Sequence, residues 1–322
     1  MRVHPVLDLR AGARRVLLAA AGLCLLPAGP GAAAPPEAGA APRFGIFVQT
    51  DSQGELRPCH CPGKPINSLG RRNGVFNLGR SFRYPVTVLD GGDAFPDPTD
   101  PLAGPLRDLM LEAMEQMNYD AVAVGERDLL SGPKVFRRAA GVLPFVCANL
   151  QAGPGLGADV PPVRWIDAGD KRVAVTAILD PLLFYTAPGA FDLYGEDLVL
   201  RDAAESLTET LAAVRPAADL VILLAHASLE EIDRLLDGVS GIDVVVQGHE
   251  PDRAQTGMAY KGALLVVPEP RSRQVSQLTV TLDPPQPVAV QASRLWDLRR
   301  TLKEDGRLDA LVQAFESRYG SP

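Results

Sequence analysis

Short apolar runs that end in polar residues constrain the fold of this sequence most strongly. The runs "LVILLAHAS" (220–228) and "IDVVVQGHE" (242–250) are almost wholly apolar until a histidine follows. A strand with apolar residues on both faces needs cover on both sides, as in a sheet flanked by helices. The sequence therefore predicts an α/β fold with mixed sheets between helical layers.

Further strands and amphipathic stretches alternate along the chain, which supports this fold class. The segment 105–120 places apolar residues at helical spacing, whereas 43–50, "RFGIFVQT", is typical of a buried strand. After residue 260 the pattern indicates antiparallel closing strands. The other predicted strands lie in 84–93, which ends in a Gly-rich turn, in 121–129, which runs on into a loop, and at 143–150 and 172–179. The other predicted helices lie at 201–214, 228–237 and about 295–318.

The first 34 residues have the composition of an export signal. Three arginines, Arg10, Arg14 and Arg15, precede an apolar run that is too short to cross a bilayer, and small residues follow it. We therefore expect an exported chain, periplasmic or extracellular. Leu23 argues against a lipid anchor at Cys24, because a small residue is wanted there. The predicted organisation is a signal peptide at 1–34, a flexible linker at 35–42, a main domain at 43–285, and a closing strand with a C-terminal helix at 286–322.

The formal net charge is −7, and it becomes more negative once the arginine-rich leader is removed. This balance argues against nucleic acid or an anionic membrane surface as a partner. Stable membrane insertion is not expected either, and small phosphorylated or other anionic ligands or a periplasmic protein are the candidate partners. Three cysteines remain, Cys59, Cys61 and Cys147, so at least one thiol lacks an intrachain partner unless a metal is bound.

Polar residues recur at the ends of the predicted strands, and the ends of parallel strands meet at one edge of a sheet. Taken singly, each carboxylate could be a turn former and each histidine a structural residue. Taken together they predict a ligand or metal site. The residues concerned are Asp51, Gln53, Asp93, Glu126, Arg127, Asp128, His226 and His249.

The order of these strand ends resembles the calcineurin-like metallophosphoesterases, in particular their 5'-nucleotidase-like branch. That family carries D-x-H, G-D, G-N-H-[DE], a lone His and G-H-x-H in succession. The resemblance implies a four-layer α-β-β-α sandwich. The counterparts in this sequence are Asp51-Ser52-Gln53, Gly92-Asp93, Gly125-Glu126-Arg127-Asp128, His226, and Gly248-His249-Glu250-Pro251.

The departures from the family pattern fall on the metal ligands. One of the two family sites keeps Asp51 and Asp93 but has Gln53, a weak ligand, and Pro251 where imidazoles are expected. The other site has Glu126 where the family has an asparagine, and so presents two carboxylates and two imidazoles. The resemblance therefore implies one divalent ion, for which Zn, Mn, Fe and Mg are all candidates. Its expected ligands are Asp93, Glu126, His226 and His249.

Arg127 stands where the family has its catalytic histidine. An arginine stays protonated and cannot serve as that general acid, although its planar fork suits a phosphate or sulfate oxygen. We expect Asp128 to pair with it. The resemblance thus assigns Arg127 and Asp128 to the catalytic position, and a purely structural ion bridge in a retired site is the alternative.

The triplet Cys59-His60-Cys61 follows Asp51 closely enough to loop back over the site. Two cysteines separated by one residue form a strained disulfide, so metal ligation, redox chemistry, or a staple to Cys147 all stay open.

Three functions follow from this sequence. The first is an exported 5'-nucleotidase-like hydrolase of phosphate esters with one retained metal site and reduced activity. The second is a non-catalytic protein that binds an anion or a partner. The third is a redox or sulfur-handling accessory protein that uses Cys59 and Cys61.

Overall fold

Two six-stranded sheets lie face to face in the computed structural model of this chain, which describes residues 42–56, 68–153, 156–157, 159–249, 254–271, 273–282, 288–298 and 303–320. Residues from Ala41 onward form one compact unit. The described strands are β1 (Arg43–Gln49), β2 (Val86–Asp90), β3 (Ala121–Ala123), β4 (Phe145–Val146), β5 (Leu150–Ala152), β6 (Val163–Ala168), β7 (Lys171–Leu179), β8 (Leu198–Leu200), β9 (Leu220–His226), β10 (Val244–Gly248), β11 (Gln255–Tyr260), β12 (Ala263–Val267), β13 (Gln274–Thr281) and β14 (Val290–Asp297).

Helices cover the outer faces of both sheets. In the part of the chain that the structure describes they are α1 (Ser68–Arg80), α2 (Ala103–Met117), α3 (Glu126–Leu130), α4 (Pro133–Ala140), α5 (Pro181–Tyr185), α6 (Ala190–Tyr194), α7 (Ala203–Val214), α8 (Leu229–Gly238) and α9 (Gly306–Tyr319). None of the described helices is long and apolar enough to cross a membrane.

Both sheets are mixed. The first has the order β14-β13-β1-β2-β3-β4 and the second β11-β12-β10-β9-β7-β6, while β5 and β8 form a separate pair. Strands β1 to β4 run parallel, as do β7, β9, β10 and β12, and the outer pairs are antiparallel. The predicted α/β class with mixed sheets flanked by helices is confirmed.

The apolar strands divide their side chains between two cores. In β9, Ile222 and Leu224 pack between the sheets, whereas Val221 and Leu223 pack against the helices. This is the period-two alternation of a strand that is buried on both faces. The same arrangement in β1 sends Phe47 toward the helices. The layers are therefore helix, sheet, sheet and helix.

Two predicted boundaries were wrong. The stretch 143–150 is not one strand, because the Asn149 side chain bonds the backbone of Leu179 and Arg201 and interrupts it between β4 and β5. The terminal helix begins at Gly306 rather than near 295, because Asp305 caps it by accepting the backbone N–H of Arg307, and 295–297 belong to β14.

Helix α1 was not predicted from the sequence. Its residues "SLGRRNGVFNLGR" include three glycines, which lower helix propensity. Packing explains all three: a Cβ at Gly79 would lie 2.6 Å from the ring of Phe47, and a Cβ at Gly70 or Gly74 would meet atoms of Asp309 or Lys303 even more closely. Close contact with β1 therefore outweighs the poor propensity of the segment.

The topology brings the carboxyl ends of β2, β3, β9 and β10 together at one edge of the two sheets. Strands β2 and β3 are neighbours in the first sheet, and β9 and β10 are neighbours in the second. The loops that follow these strands therefore face each other across the space between the sheets.

Candidate metal centre

Four side chains converge where these strands end. Asp93, Glu126, His226 and His249 each offer one ligand atom, and these atoms all lie within 4.8 Å of one another. Asp93 and Glu126 follow strands of the first sheet, and His226 and His249 lie at the ends of strands of the second. The structure thus brings together the four residues that the sequence assigned to the retained metal site.

His226 is fully buried and its ring is fixed by two contacts. Its Nδ1 atom lies 2.8 Å from the carbonyl oxygen of Gly91, so Nδ1 carries the proton and donates. Its Nε2 atom lies 2.7 Å from Oε2 of Glu126 and 3.5 Å from Oδ1 of Asp93. Nε2 is therefore the ring atom that faces the carboxylates, and loss of its shared proton would free it to bind a metal, as in metal-binding histidines whose other nitrogen donates to a carbonyl.

His249 faces the same carboxylate from the other histidine-bearing strand. Its Nδ1 atom lies 3.4 Å from Oε1 of Glu126, yet it is buried and has no hydrogen-bond partner. The rings of His249 and His226 meet edge to face, with centroids 5.5 Å apart. A buried nitrogen without a partner is costly, which indicates that a ligand belongs beside it.

Asp93 has two oxygens in different surroundings. Its Oδ1 atom accepts the backbone N–H of Arg127 at 2.9 Å. Its Oδ2 atom is buried without a hydrogen-bond partner, and Nε of Arg127 lies 3.5 Å away. One carboxylate oxygen therefore faces His226 and the other faces a guanidinium group.

Strained backbone concentrates at these loops. Asp51, Gln53, Asp93 and His249 all have positive φ angles, between 49° and 62°, and they are four of the seven described non-glycine residues that do. This conformation is rare for residues with a side chain and persists where surrounding structure enforces it, often at functional sites. The strained residues therefore lie at the same edge of the sheets as the four candidate ligands.

Two glycines permit the close packing around the cluster. A Cβ atom at Gly125 would lie 2.1 Å from Oδ1 of Asp93, and one at Gly92 would lie 2.7 Å from Nδ1 of His226. Gly92 also has a φ of +99°. Only glycine fits at these two positions without moving a candidate ligand.

Burial and mutual charge shift the pKa values of the cluster in different directions. Burial raises the pKa of Asp93 well above its usual range, although the charge of His226 opposes this. Burial acts to lower the pKa of His226, but the charge of Asp93 and the bond to Glu126 hold it well above the usual value. Burial would raise the pKa of Glu126, but contacts with His226 and His249 hold it well below that value. The cluster therefore favours an added positive charge.

The donor set fits a divalent metal ion. Two imidazoles and two carboxylates suit Zn and the other first-row metals, and ligand atoms about 3.3 Å apart are needed for tetrahedral bonds near 2.0 Å. Three separations between ligand atoms, 2.7, 3.4 and 3.5 Å, lie around that value. The partnerless atoms of Asp93 and His249 fall within the set.

The other predicted ligands lie outside this group of four. Asp51 is fully buried, and its Oδ2 atom accepts the Thr50 hydroxyl at 2.6 Å. Gln53 is partly exposed and its backbone N–H donates to the carbonyl of Asp93. Pro251 lies outside the described residues. Weak metal binding at the family site that contains Asp51, Gln53 and Pro251 is therefore still a prediction from sequence.

The expected pairing of Arg127 with Asp128 was wrong. Arg127 is directed at Asp93 and, at 3.9 Å, at Asp97. Asp128 is fully buried and accepts backbone N–H groups of Asp93, Ala94 and Gly125 at 3.0 to 3.1 Å. Three backbone donors fill most of its roughly four acceptor positions, so it fixes the Asp93 loop against the start of α3. Burial raises its pKa to about 6.

Sequence reasoning missed several supporting groups. Asp97 was overlooked because it lies in a proline-rich loop, and the Gly91 carbonyl has no side chain to mark it. Arg72 stands out in the sequence only as part of "GRR", yet it is fully buried and Nη1 donates to the Ser52 hydroxyl at 3.0 Å. The position of Arg72 in a segment that packs against the buried strand β1 could have indicated that it supports the site.

The cysteine hypotheses are tested only in part. Cys59, His60 and Cys61 lie outside the described residues. Cys147 is buried, and its thiol donates to Oδ1 of Asn149 at 3.3 Å. Burial raises its pKa to about 11. This thiol is packed in the core, and its use as a staple to Cys59 or Cys61 is still a hypothesis from sequence.

Comparison with known proteins places the fold. No family profile matches the chain. A curated relative, the uncharacterized metallophosphoesterase YunD of Bacillus subtilis (strain 168), is 31% identical over 82 residues, which is 26% of this chain and 18% of that protein. The match therefore spans under a fifth of the relative.

Solved structures match over much more of the chain. The 5'-nucleotidase precursor from Thermus thermophilus superposes with a TM-score of 0.71 at 19% identity, covering 86% of this chain and 59% of that chain. The calcineurin-like phosphoesterase YfkN from Bacillus subtilis gives a TM-score of 0.69 at 15% identity, covering 87% of this chain and 98% of that chain. The fold of this protein is therefore that of the calcineurin-like metallophosphoesterases, in the form used by their 5'-nucleotidase-like branch.

Proposed function

We propose that this chain is an exported hydrolase of phosphate esters that uses one divalent ion held by Asp93, Glu126, His226 and His249. The observation that carries the proposal is the convergence of these four side chains, with partnerless buried atoms on Asp93 and His249. The neighbouring folds belong to phosphoesterases and a nucleotidase, which makes phosphate esters the first substrate class to test.

The residues of this chain would prepare the site in specific ways. Gly91 and Glu126 orient the ring of His226, and Asp128 holds the loop that carries Asp93. A divalent ion bound here supplies Lewis-acid polarisation of a phosphoryl oxygen. The protein's part is to place that charge at the mouth of the space between the sheets.

Arg127 would contact the phosphoryl group of the substrate. Its side chain is 25% exposed, and Asp93 and Asp97 engage only part of the guanidinium. The remaining N–H groups can donate to two oxygens of a phosphate at once. Because an arginine keeps its proton, the leaving group must take a proton from water, which is the physical basis for reduced activity.

A small phosphorylated compound suits the charge of the protein. The net charge of −7 disfavours polyanions such as nucleic acid. One phosphate ester, in contrast, needs only the local positive charge of the ion and Arg127. Export rests on the arginine-rich apolar leader at 1–34, which lies outside the described residues.

A metal-dependent phosphatase assay tests the proposal. The purified protein, stripped with chelator and resupplied with Mn, Zn, Co or Mg, should release phosphate from an aryl phosphate or a nucleotide. His249→Ala should abolish this release, while Glu112→Ala, on the exposed face of α2, should leave it unchanged. Lack of turnover with every metal would reject the hydrolase.

A second candidate is a non-catalytic anion-binding or partner-binding protein. It is favoured by Arg127 at the general-acid position and by the complete burial of Asp128. Inorganic phosphate should then raise the melting temperature in the wild type, and Arg127→Met should remove that shift, without turnover of any ester. The redox alternative depends on Cys59 and Cys61 and is still a prediction from sequence.

A further inference from the structure

The ring of His226 is fixed by a backbone carbonyl that has little room to move. Nδ1 of His226 lies 2.8 Å from the carbonyl oxygen of Gly91. A Cβ atom at Gly248 would lie 2.8 Å from Nδ1 and even closer to that oxygen, so only a glycine in β10 leaves space for this contact. The position of the turn formed by Gly91 and Gly92 therefore decides how the imidazole is oriented.

Three described hydrogen bonds hold this turn, and one of them involves a side chain. The Gly91 N–H donates to the Gln49 carbonyl at 2.8 Å, and the Gly92 carbonyl accepts the Asp51 N–H at 2.9 Å. The Gly92 N–H donates to Oδ1 of Asp90 at 2.9 Å. Among these bonds, the one to Asp90 is the bond that a side-chain substitution can remove.

A chain of buried polar groups holds Asp90 itself. Gln49 and Asp90 lie opposite each other at the ends of β1 and β2, and Nε2 of Gln49 donates to Oδ2 of Asp90. Oε1 of Gln49 accepts the Ser52 hydroxyl at 3.0 Å, and the Ser52 oxygen accepts Nη1 of Arg72 at 3.0 Å. All four residues are fully buried. Because buried polar groups are costly unless bonded, a bonded chain of this kind fixes the Asp90 carboxylate in one orientation.

We propose that Asp90 is a positioning residue for His226, because it fixes the Gly91–Gly92 turn whose carbonyl orients the imidazole. The inference rests on the metal site of the proposed function and adds to it a residue that does not bind the ion. Asp93 follows Gly92 directly in the chain. The same turn therefore places one candidate ligand that follows the first sheet and orients one that ends a strand of the second.

A buried carboxylate elsewhere in the fold provides a matched control. Asp243 accepts the backbone N–H of Val221 at 2.8 Å and pairs with Arg215 at 2.7 Å. Val221 lies near the start of β9, and His226 ends the same strand about 16 Å away. Loss of Asp243 should therefore lower stability without changing the bond between His226 and Gly91.

Nuclear magnetic resonance can detect the Nδ1–H proton of His226 in protein that is isotope-labelled in histidine and stripped with chelator. The comparison would use the wild type, Asp90→Leu, Asp90→Asn and Asp243→Leu, with His226→Gln to assign the signal. Leucine has the shape of asparagine but no acceptor. Asparagine keeps an oxygen for the Gly92 N–H, and Gln49 can turn its amide over to accept the new N–H group.

The downfield signal of the hydrogen-bonded Nδ1–H proton should be lost or shifted upfield in Asp90→Leu. Zn affinity in a calorimetric titration should fall by about tenfold in the same variant, since the bond that orients a candidate ligand is weakened. Asp90→Asn and Asp243→Leu should keep the signal and stay within about threefold of the wild-type affinity. Circular dichroism would establish that each variant is folded.

A second variant covers the case in which Asp90→Leu does not fold. The charge of Arg72 acts on Asp90, so Arg72→Met combined with Asp90→Leu removes both buried charges, a change that proteins often tolerate. The same loss of signal is expected. An unchanged signal in the folded single or double variant would overturn the inference. So would loss of the signal in Asp243→Leu or in Asp90→Asn, because general loosening or another property of Asp90 would then be the cause.

Failure of the proposed function gives a different pattern. If the wild type binds no ion but the folded Asp90→Leu protein loses the Nδ1–H signal, the inference holds and the one-metal hydrolase fails. If the wild type binds Zn and Asp90→Leu keeps both the signal and the affinity, the inference fails and the metal site stands.

Discussion

Nε2 of His226 lies 2.7 Å from Oε2 of Glu126, although the two residues are 100 positions apart. His226 ends β9 of the second sheet, and Glu126 opens α3 just after β3 of the first sheet. The pair joins the carboxyl ends of β3 and β9 across the inter-sheet space. A divalent ion needs the same lone pairs that this hydrogen bond uses, so binding must displace the shared proton. The contact is therefore both a link between the sheets and the centre of the candidate metal site.

Removing the charge of Glu126 should weaken metal binding while keeping the fold. In Glu126→Gln the amide can still bond His226, but a neutral oxygen is a poorer ligand for a divalent ion. We expect metal affinity to fall by at least about tenfold to a hundredfold, which is the range seen when only the hydrogen-bond partners of metal ligands are changed. Glu112→Gln, on the exposed face of α2, is the matched control and should bind as the wild type does. Equal affinities in a calorimetric titration would count against Glu126 as a ligand.

The substitution Gly125→Ala should disrupt the metal cluster by displacing Asp93. Its Cβ would lie 2.1 Å from Oδ1 of Asp93, so the loop must move. Overpacking of this kind costs about 1–3 kcal/mol of unfolding free energy, and Gly125→Ala should lose metal affinity as well. Gly104→Ala is the control, because nothing lies within 4 Å of its Cβ and it sits in helix α2. A Gly125→Ala protein as stable as the wild type in a denaturant titration would show that the packing is looser than described.

Asp90 should make stability depend on pH. It is fully buried, and burial raises its pKa from 3.8 to about 7 despite the nearby charge of Arg72. A carboxyl whose folded pKa is raised stabilises the fold below its unfolded pKa, and that contribution is lost as pH rises through the folded pKa. The stabilising contribution of Asp90 is therefore lost between pH 3.8 and about pH 7.

The variant Asp90→Asn isolates this effect. Relative to the wild type, it should gain about 2 kcal/mol of unfolding free energy between roughly pH 5.5 and pH 8, because the amide does not ionise. Comparing the two proteins cancels the titration of the metal cluster. Parallel pH profiles from urea unfolding would mean that the carboxyl of Asp90 does not titrate in this range.

Cys147 should be unreactive in the native protein. Its thiol is buried, hydrogen-bonded to Asn149, and has a pKa raised to about 11 by burial. A thiol reagent should therefore label one more cysteine after denaturation than before, and Cys147→Ala should remove that difference. Rapid labelling of Cys147 in the folded protein would contradict its burial.

The sequence predicted the layers well because apolar strands leave a strong signal. "LVILLAH" is typical of a strand covered on both faces, and β9 is that strand. Helix α1 left no such signal, since its glycines serve contacts with distant residues such as Phe47. The break at Asn149 likewise depends on Leu179 and Arg201, which no local pattern reveals.

The residues of the candidate site could be predicted from the sequence, but their ion pairs and hydrogen bonds could be predicted less well. Family motifs located Asp93, Glu126, His226 and His249, and the fold brings them together. The family motifs could not show that the Arg127 side chain pairs with Asp93 and Asp97 instead of Asp128. That choice follows from Asp128 having its oxygens occupied by backbone donors, which only the folded loops can supply.

The number of divalent ions bound per chain tests the central claim most directly. Equilibrium dialysis against Zn or Mn, followed by elemental analysis, would be run on the wild type and on His249→Ala. The arrangement of Asp93, Glu126, His226 and His249 predicts one ion in the wild type and a large loss of binding in the variant. A wild type that binds no ion, or two, or a His249→Ala protein that binds as the wild type does, would contradict it.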